Sequence, residues 1–370
     1  MKKVLLLLLS AGFLGMAQAS AADTAAAAEE GHYRVFQFPR TAIPRIDGDF
    51  SDWAMVPESY AVTYLWDDSG KHDGPCPESI SIKVKVGWVE GLNRLYFYYE
   101  AYDDYWEFSE YGLHNDTYEL VVDGNLSGEA NIARFRYRPD EVSEEESFYH
   151  FQNVHAQNYH IMTPPTEGKS WTMVWGPQQW LKYLPYANYA YNYDFVHGQS
   201  GVLKMEFYIT PFDYAAPEGP ETSVESRLYE GKKIGLCWAV IDYDGGRNNN
   251  GFWNLSPHHK MYGDAALETV FELCPLEPAL RKPLEARWDY WTEPGSFTVH
   301  FVNRSYGDIV SYHWDFGDGT TSTDSSPVHV FAEASMTNTV TLTVRDAKGE
   351  EVHCCKVWEV LKNHPMPSER

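Results

Sequence analysis

The sequence predicts an all-β protein: a larger β-sandwich domain followed by a smaller one. Three observations predict it. Apolar and polar residues alternate with period two in stretch after stretch, the signature of half-buried strands. No long stripe at helical spacing competes with that pattern. Between two blocks of alternation lies a segment, residues 274–286, that carries Pro275, Pro278 and Pro283 and no sustained period, as a boundary does. The chain has 370 residues, enough for two cores of ordinary domain size.

The N-terminus reads as a targeting segment. Lys2 and Lys3 precede the apolar run Val4–Leu9, and Ala17-Gln18-Ala19 is a small-residue cleavage site. Residues 1–19 are therefore expected to be a secretory signal peptide, too short to span a membrane; cleavage after Ala22 is the alternative. The Ala-rich residues 20–39 are expected to be a flexible leader. Export predicts an extracellular, cell-surface or periplasmic location. The net charge of −24 repels phosphate backbones and anionic lipid, so nucleic acid and membrane insertion are not expected. The five cysteines are Cys76, Cys237, Cys274, Cys354 and Cys355. Their odd number leaves one unpaired and none has Cys-x-x-Cys spacing, so zinc is not expected. Cys354 and Cys355 are neighbours in a strand-like run and point to opposite faces.

The first domain is expected over 40–273. "ISIKVKVGW" places Ile80, Ile82, Val84, Val86 and Trp88 on one face. "RLYFYYEAY" (94–102), "TYELVVD" (117–123), "VLKMEFYIT" (202–210), "KIGLCWAVID" (233–242) and "ALETVFEL" (266–273) follow, separated by Gly-rich and Asx turns. Residues 140–190 break the rhythm and are expected to be a loop-rich insertion. Within "WTMVWGPQQWLKYLPYANYAYNYDF" (171–195), the alternation of Tyr189, Tyr191, Tyr193 and Phe195 is expected to face the core. Trp171, Trp175 and Trp180 lie where no clean period buries them. A pyranose stacks its C–H face on such rings and presents its hydroxyls to amides and carboxylates. These tryptophans are therefore a candidate sugar platform, with loop packing as the plain alternative.

After the boundary, alternation resumes in "SFTVHFVN" (296–303) and "TVTLTV" (339–344). Between them "SYHWDFGDGTT" sets Gly317 and Gly319 around Asp318 in a tight turn, with Trp314 and Phe316 on the inward face. This stretch resembles the PKD (polycystic kidney disease) domain, and the likeness extends over 287–362, leaving 363–370 as a tail. The resemblance implies an immunoglobulin-like sandwich of about seven strands, in which the motif serves the turn and core. It also implies a spacer, or a contact with polysaccharide or a protein partner.

The first domain resembles the family 9 carbohydrate-binding modules. The likeness runs through "IPRIDGDFSDW", "IKVKVGWVEGLNRLYFYYEAYDD", "NDTYELVVDGN", "VLKMEFYITPFDY", "KIGLCWAVIDYDG" and "FWNLSP" in order. It implies a β-sandwich, glycan as the partner and structural calcium. The family's ligand clamp of two tryptophans is altered here. Leu113 stands at the first position, with Trp106 upstream; near the second, Trp253 is present but His258 or His259 falls where the clamp closes.

Further candidates come from the residues themselves. Arg134 and Arg136, with Arg138, share one strand face and could grip a carboxylate such as a uronic acid; an ion-paired solvent face is the alternative. Asp123, Asn125, Ser127 and Glu129 place oxygen ligands at every second residue, as calcium loops do, and Asp242 and Asp244 offer a second set. Calcium is thus the candidate structural cofactor, and Asx turns the alternative. There is no His-Glu-x-x-His, Gly-x-Ser-x-Gly, P-loop or dinucleotide fingerprint, and no catalytic residue is assigned. The sequence reads as an exported, non-catalytic glycan-binding protein. Its rivals are a structural or adhesion protein, a glycan-active enzyme, or a haem-binding sandwich using Met205 or Met261 with a histidine.

Overall fold

A computed structural model of the chain describes residues 32–109, 113–128, 130–132, 143–246, 248–293, 296–331 and 337–359. The expected signal peptide, the tail, Glu129, Arg134, Arg136 and Arg138 lie outside the described residues. The chain divides into two compact units at Pro275 and Leu276.

The described residues of the first unit form fourteen strands: β1 (His32–Phe38), β2 (Trp66–Asp67), β3 (Ile80–Val89), β4 (Leu92–Asp103), β5 (Thr117–Asp123), β6 (Gln157–Met162), β7 (Thr172–Val174), β8 (Ala187–Asn192), β9 (Gly201–Ile209), β10 (Phe212–Tyr214), β11 (Val224–Glu225), β12 (Lys233–Asp242), β13 (Gly251–Asn254) and β14 (Thr269–Leu273). Strands β7-β6-β5-β12-β14 form one layer, to which β13 and β2 attach through β12; β3-β4-β9-β8 form the other. The short helix α1 (Glu144–Phe151) starts in a capping box between Ser143 and Glu146, which satisfies two orphan groups at once.

Strand β1 joins the layers. His32–Val35 pair in parallel with β14, and Phe36–Phe38 pair in parallel with β3. The expected leader, 20–39, therefore contains a structural strand: Val35, Phe36 and Phe38 are fully buried. Between the layers, Phe97 stacks on Phe207 at 4.6 Å and Tyr99 meets Tyr118 at 4.6 Å. Trp88, Trp238 and Phe271 fill the same core. On the far side of β9, Glu206 accepts hydrogen bonds from Asp47 N, Gly48 N and Trp53 Nε1. One buried carboxylate thus pins the "IDGDFSDW" segment to its sheet.

The insertion is more regular than its sequence suggests. β6 and β7 inside 140–190 extend the first layer by two strands. "QNYHIM" does alternate, but its outward residues, Asn158 and His160, are buried too, so the polar–apolar contrast is lost. The prolines at 275, 278 and 283 do not make a free linker either. Leu276 is buried, Leu284 and Ala286 join the second core, and Glu285 bridges Tyr306. Proline denies a ladder its N–H but does not prevent packing.

The second unit has a three-stranded sheet, β15 (Trp288–Thr292), β16 (Thr298–Asn303) and β19 (Val328–Val330). Its four-stranded sheet orders β18 (Thr321–Ser322), β17 (Ile309–Asp315), β20 (Thr337–Asp346) and β21 (Glu351–Glu359). Trp288, Trp314, Phe301 and Phe316 pack its core, as expected for Trp314 and Phe316 of the "WDF" run. Gly317 has φ +74°, and a Cβ there would lie 2.7 Å from Thr339 O; both facts demand glycine. Asp318 accepts from Thr320 N and Oγ1 and lies 2.7 Å from His329 Nε2, whose ring stacks on Phe316 at 4.1 Å. Cys76, Cys237 and Cys355 are free thiols.

Candidate functional site

The outer face of the first layer carries a polar row that crosses five strands. Register places Asn254 (β13) opposite Ala239 (β12), Ala239 opposite Glu119 (β5), Glu119 opposite His160 (β6), and His160 opposite Met173 (β7). Residues in register share a face. Their neighbours in sequence, Tyr118, Trp238 and Tyr159, turn inward to the core. Asn158, two residues before His160, stands on the polar side as well.

Glu119 anchors the row. Its Oε1 lies 3.0 Å from His160 Nε2 and accepts from Asn158 Nδ2 at 2.8 Å. Burial pushes the Glu119 carboxyl up, but the His160 charge and hydrogen bond and the Asn158 amide outweigh burial and hold it below the usual glutamate range. His160 Nε2 faces this carboxylate. His160 Nδ1, Asn158 Oδ1 and both amide atoms of Asn254 are buried without partners among the described residues. Such groups cost free energy until something pairs with them. Ala239, the smallest side chain in the row, stands between Asn254 and Glu119.

Half-buried rings frame this floor. Trp175 lies 5.1 Å from the His160 ring; Phe252 and Tyr262 flank His259 at 5.1 and 5.3 Å. His259 pairs with Asp68. The turn His259–Tyr262 roofs the row, and its Tyr262 O accepts from Asn158 Nδ2 at 2.8 Å. Donors, acceptors and aromatic edges thus converge in one place.

The predicted tryptophan platform is not assembled. Trp171 is only 3% exposed, stacks on Tyr189 at 4.8 Å and donates from Nε1 to Lys182 O. Trp180 donates to Ala216 O and meets Tyr186 and Phe212 edge-on. Each indole has the N–H partner that a packed tryptophan requires. Trp106 is buried against Phe195 at 5.0 Å and donates to Gly201 O. Trp253 is fully buried, stacked on His72 at 4.8 Å. It lies over Gly251, where a Cβ would come within 2.1 Å of the indole nitrogen. Of the nominated rings, Trp175 alone adjoins the polar row. Tyr189 and Tyr191 do turn to the side of Phe207 and Met205. Because β8 is an edge strand, Tyr189 still keeps 40% exposure. Met205 and Met261 are fully buried in the apolar core.

The two calcium candidates separate. Asp123 Oδ1 accepts from Asn125 N, and Oδ2 accepts from Ser127 Oγ and Gly128 N. That is an Asx turn closing a strand end, with hydrogen bonds to both oxygens, while Asn125 Oδ1 is buried and unpartnered among the described residues. Asp242 and Asp244 behave otherwise. Together with Asp103, at the end of β4, they bring carboxylate oxygens within 4.8 Å of one another. Asp103 Oδ2 is buried and unpartnered among the described residues, and the Trp253 indole reaches the buried Asp242 carboxylate. Burial, then the neighbouring Asp242 charge, pushes Asp103 up to about 9; burial, then Asp244, pushes Asp242 up to about 7. These oxygens fit a hard cation such as calcium, which would supply the missing positive charge.

Sequence reasoning missed His160, Asn158, Asn254 and Asp103. Asp103 is one of the acidic residues that end the "EAYDD" stretch, and nothing in the sequence ties it to Asp242. His160 and Asn254 are single polar residues in short strands, and only the register brings them together.

Sequence comparison agrees with the division into units. The second unit is a seven-stranded, immunoglobulin-like sandwich, and residues 291–360 match the family model of the PKD domain. That unit is a PKD domain. Collagenase ColA of Bacillus cereus is 56% identical over 45 residues, 12% of this chain and 5% of that protein. The pre-pro-metalloprotease PrtV of Vibrio cholerae is 52% identical over 46 residues, again 5% of its length. The chain thus spans about a twentieth of these relatives. The PKD1 domain of PrtV is 34% identical over 21% of this chain and 95% of that one, with a TM-score of 0.19. A family 9 carbohydrate-binding module from Caldicellulosiruptor kristjanssonii, solved with cellotriose, aligns with 69% of this chain and 99% of its own. It is 13% identical, with a TM-score of 0.43. No described helix is long and apolar enough to cross a membrane.

Proposed function

We propose that the first sandwich is a non-catalytic glycan-binding module of an exported protein, with its ligand held over the Asn254–Ala239–Glu119–His160 row. The observation that carries this reading is the set of buried, unpartnered polar atoms on His160, Asn158 and Asn254 beside the half-buried Trp175. Amide and imidazole groups pair with hydroxyls as donor or acceptor, and a ring edge takes the C–H face of a sugar. Export is supported by Lys2, Lys3, the apolar run and the Ala17–Ala19 site. No catalytic role is assigned to the Glu119–His160 pair. Affinity gel electrophoresis of the whole chain through neutral and uronate-rich polysaccharides tests the reading. Retardation on at least one supports it, and free migration through all of them removes it.

A further inference from the structure

We propose that β8 is a homodimerisation edge: two copies of the chain pair through it antiparallel, about a two-fold axis at Ala190, and join their second layers into one sheet. The pairing is independent of glycan binding. β8 ends the order β3-β4-β9-β8, and no strand lies on its other side among the described residues. Exposed edges of natural sheets are usually blunted by lysine, proline or a bulge. β8 has none of these. It reads Ala187-Asn188-Tyr189-Ala190-Tyr191-Asn192 and pairs with β9 without a register shift. From Tyr183 to Tyr193 no residue is charged, in a chain whose net charge of −24 otherwise drives copies apart.

Backbone, sequence and charge each select a second copy as the occupant. Thr210 N donates to Tyr186 O, and the bonded pairs of an antiparallel ladder recur at every second residue. Asn188, Ala190 and Asn192 therefore direct their backbone groups to β9, while Tyr189 and Tyr191 turn theirs to the free edge. Those edge groups have no hydrogen-bond partner among the described residues. Gly48 borders them, but even a Cβ on it would stay 3.7 Å from Tyr191 O, so the turn leaves that carbonyl open. Pairing centred on Ala190 sets Tyr189 opposite the partner's Tyr191, where the two exchange N–H···O bonds, and the axis repeats the exchange.

The run Asn188-Tyr189-Ala190-Tyr191-Asn192 also reads the same in both directions. A two-fold axis at its centre sets Asn188 opposite the partner's Asn192, and an amide carries both the donor and the acceptor that another amide needs. Ala190, the smallest side chain of the run, falls on the axis, where the non-bonded pair brings the strands closest. The flanks are complementary in charge. Lys182 precedes the strand and Asp194 follows it, so antiparallel pairing brings the basic end of each copy to the acidic end of the other. Leu184 and Val196, 69% and 61% exposed, lie six residues either side of Ala190, and the same axis turns Leu184 toward the partner's Val196.

Sedimentation velocity of the whole chain over a range of concentrations tests this. The parent is expected to pass from monomer to dimer as concentration rises. The double variant Asn188→Lys, Asn192→Lys sets like charges opposite each other and is expected to raise the dissociation constant at least about tenfold. The double variant Asn188→Asp, Asn192→Lys sets opposite charges at the same places and is expected to dimerise as well as the parent. Circular dichroism and Tm confirm the fold of each. If the double-lysine variant does not fold, Asn192→Lys alone, at an exposed position, is read in its place and is expected to weaken the dimer. A parent that stays monomeric at about 100 µM, where even a weak specific complex forms, overturns the proposal and leaves the edge to a strand of another protein. So does a dimer that the lysines leave undiminished, or one that they break and the charge-swapped variant does not restore.

Discussion

Glu119 Oε1 and His160 Nε2 face each other at 3.0 Å across neighbouring strands, both almost wholly buried. The pair sits on the outer side of a sheet whose inner side is a continuous aromatic core. A buried, hydrogen-bonded carboxylate–imidazole pair is costly to break, because the survivor is left without its partner. Glu119→Ala is therefore expected to destabilise the first sandwich by about 3–5 kcal/mol, and Glu119→Gln, which keeps the Asn158 hydrogen bond, by about 1–3 kcal/mol. Urea unfolding of both variants checks the order.

Trp171 and Trp175 are four residues apart and have opposite roles. Trp171 is packed between Tyr189 and Phe207, so Trp171→Ala should cost about 3–5 kcal/mol as a large-to-small core change. Trp175 is half-buried beside His160, and Trp175→Ala should cost under about half of that. Melting curves of the two variants test this directly.

Asp67 gives the fold a defined acid sensitivity. Burial raises its carboxyl, but hydrogen bonds from Ser69, Phe252 and His72 outweigh burial and lower it to about 2. A carboxyl depressed on folding stabilises the protein above its ordinary pKa of about 4, and that contribution is lost as pH falls through the folded value. Stability should therefore decline between about pH 4.5 and 2, and Asp67→Asn should flatten that part of the profile. Unfolding free energy measured across this range for both proteins is the check.

In the second unit, Gly317→Ala should destabilise by about 1–3 kcal/mol, since it meets a positive φ and the Thr339 carbonyl together. Gly319 also has positive φ, but open space surrounds its Cβ position, so Gly319→Ala should cost less. Thermal unfolding of the two variants side by side decides it.

How far the sequence could be read depended on contrast. Where one face is apolar and the other polar, as in Ile80–Trp88, alternation alone located the strand and its inward residues. The "WDFGDG" run announced its turn through the two glycines. Contrast vanishes where a strand is buried on both sides. β5 and β6 are buried throughout, and the second of these read as loop. The candidate site lies there because Glu119, His160 and Asn254 are polar residues hidden by a later turn, and strand register alone makes them neighbours. Richness in tryptophan drew attention to 171–195, yet rings without a period were mostly structural: Trp171 and Trp180 give their N–H groups to backbone carbonyls. Asp242 and Asp244 were legible as ligand types, but Asp103, far off in sequence, was not.

The most direct test of the glycan site compares the parent with Trp175→Ala and Asn254→Ala on whichever polysaccharide retards the parent, with Tm measured alongside. The account predicts that retardation is lost or reduced at least tenfold in both variants while their folds persist. Undiminished retardation in both, with intact melting, would contradict it and place the ligand on another face.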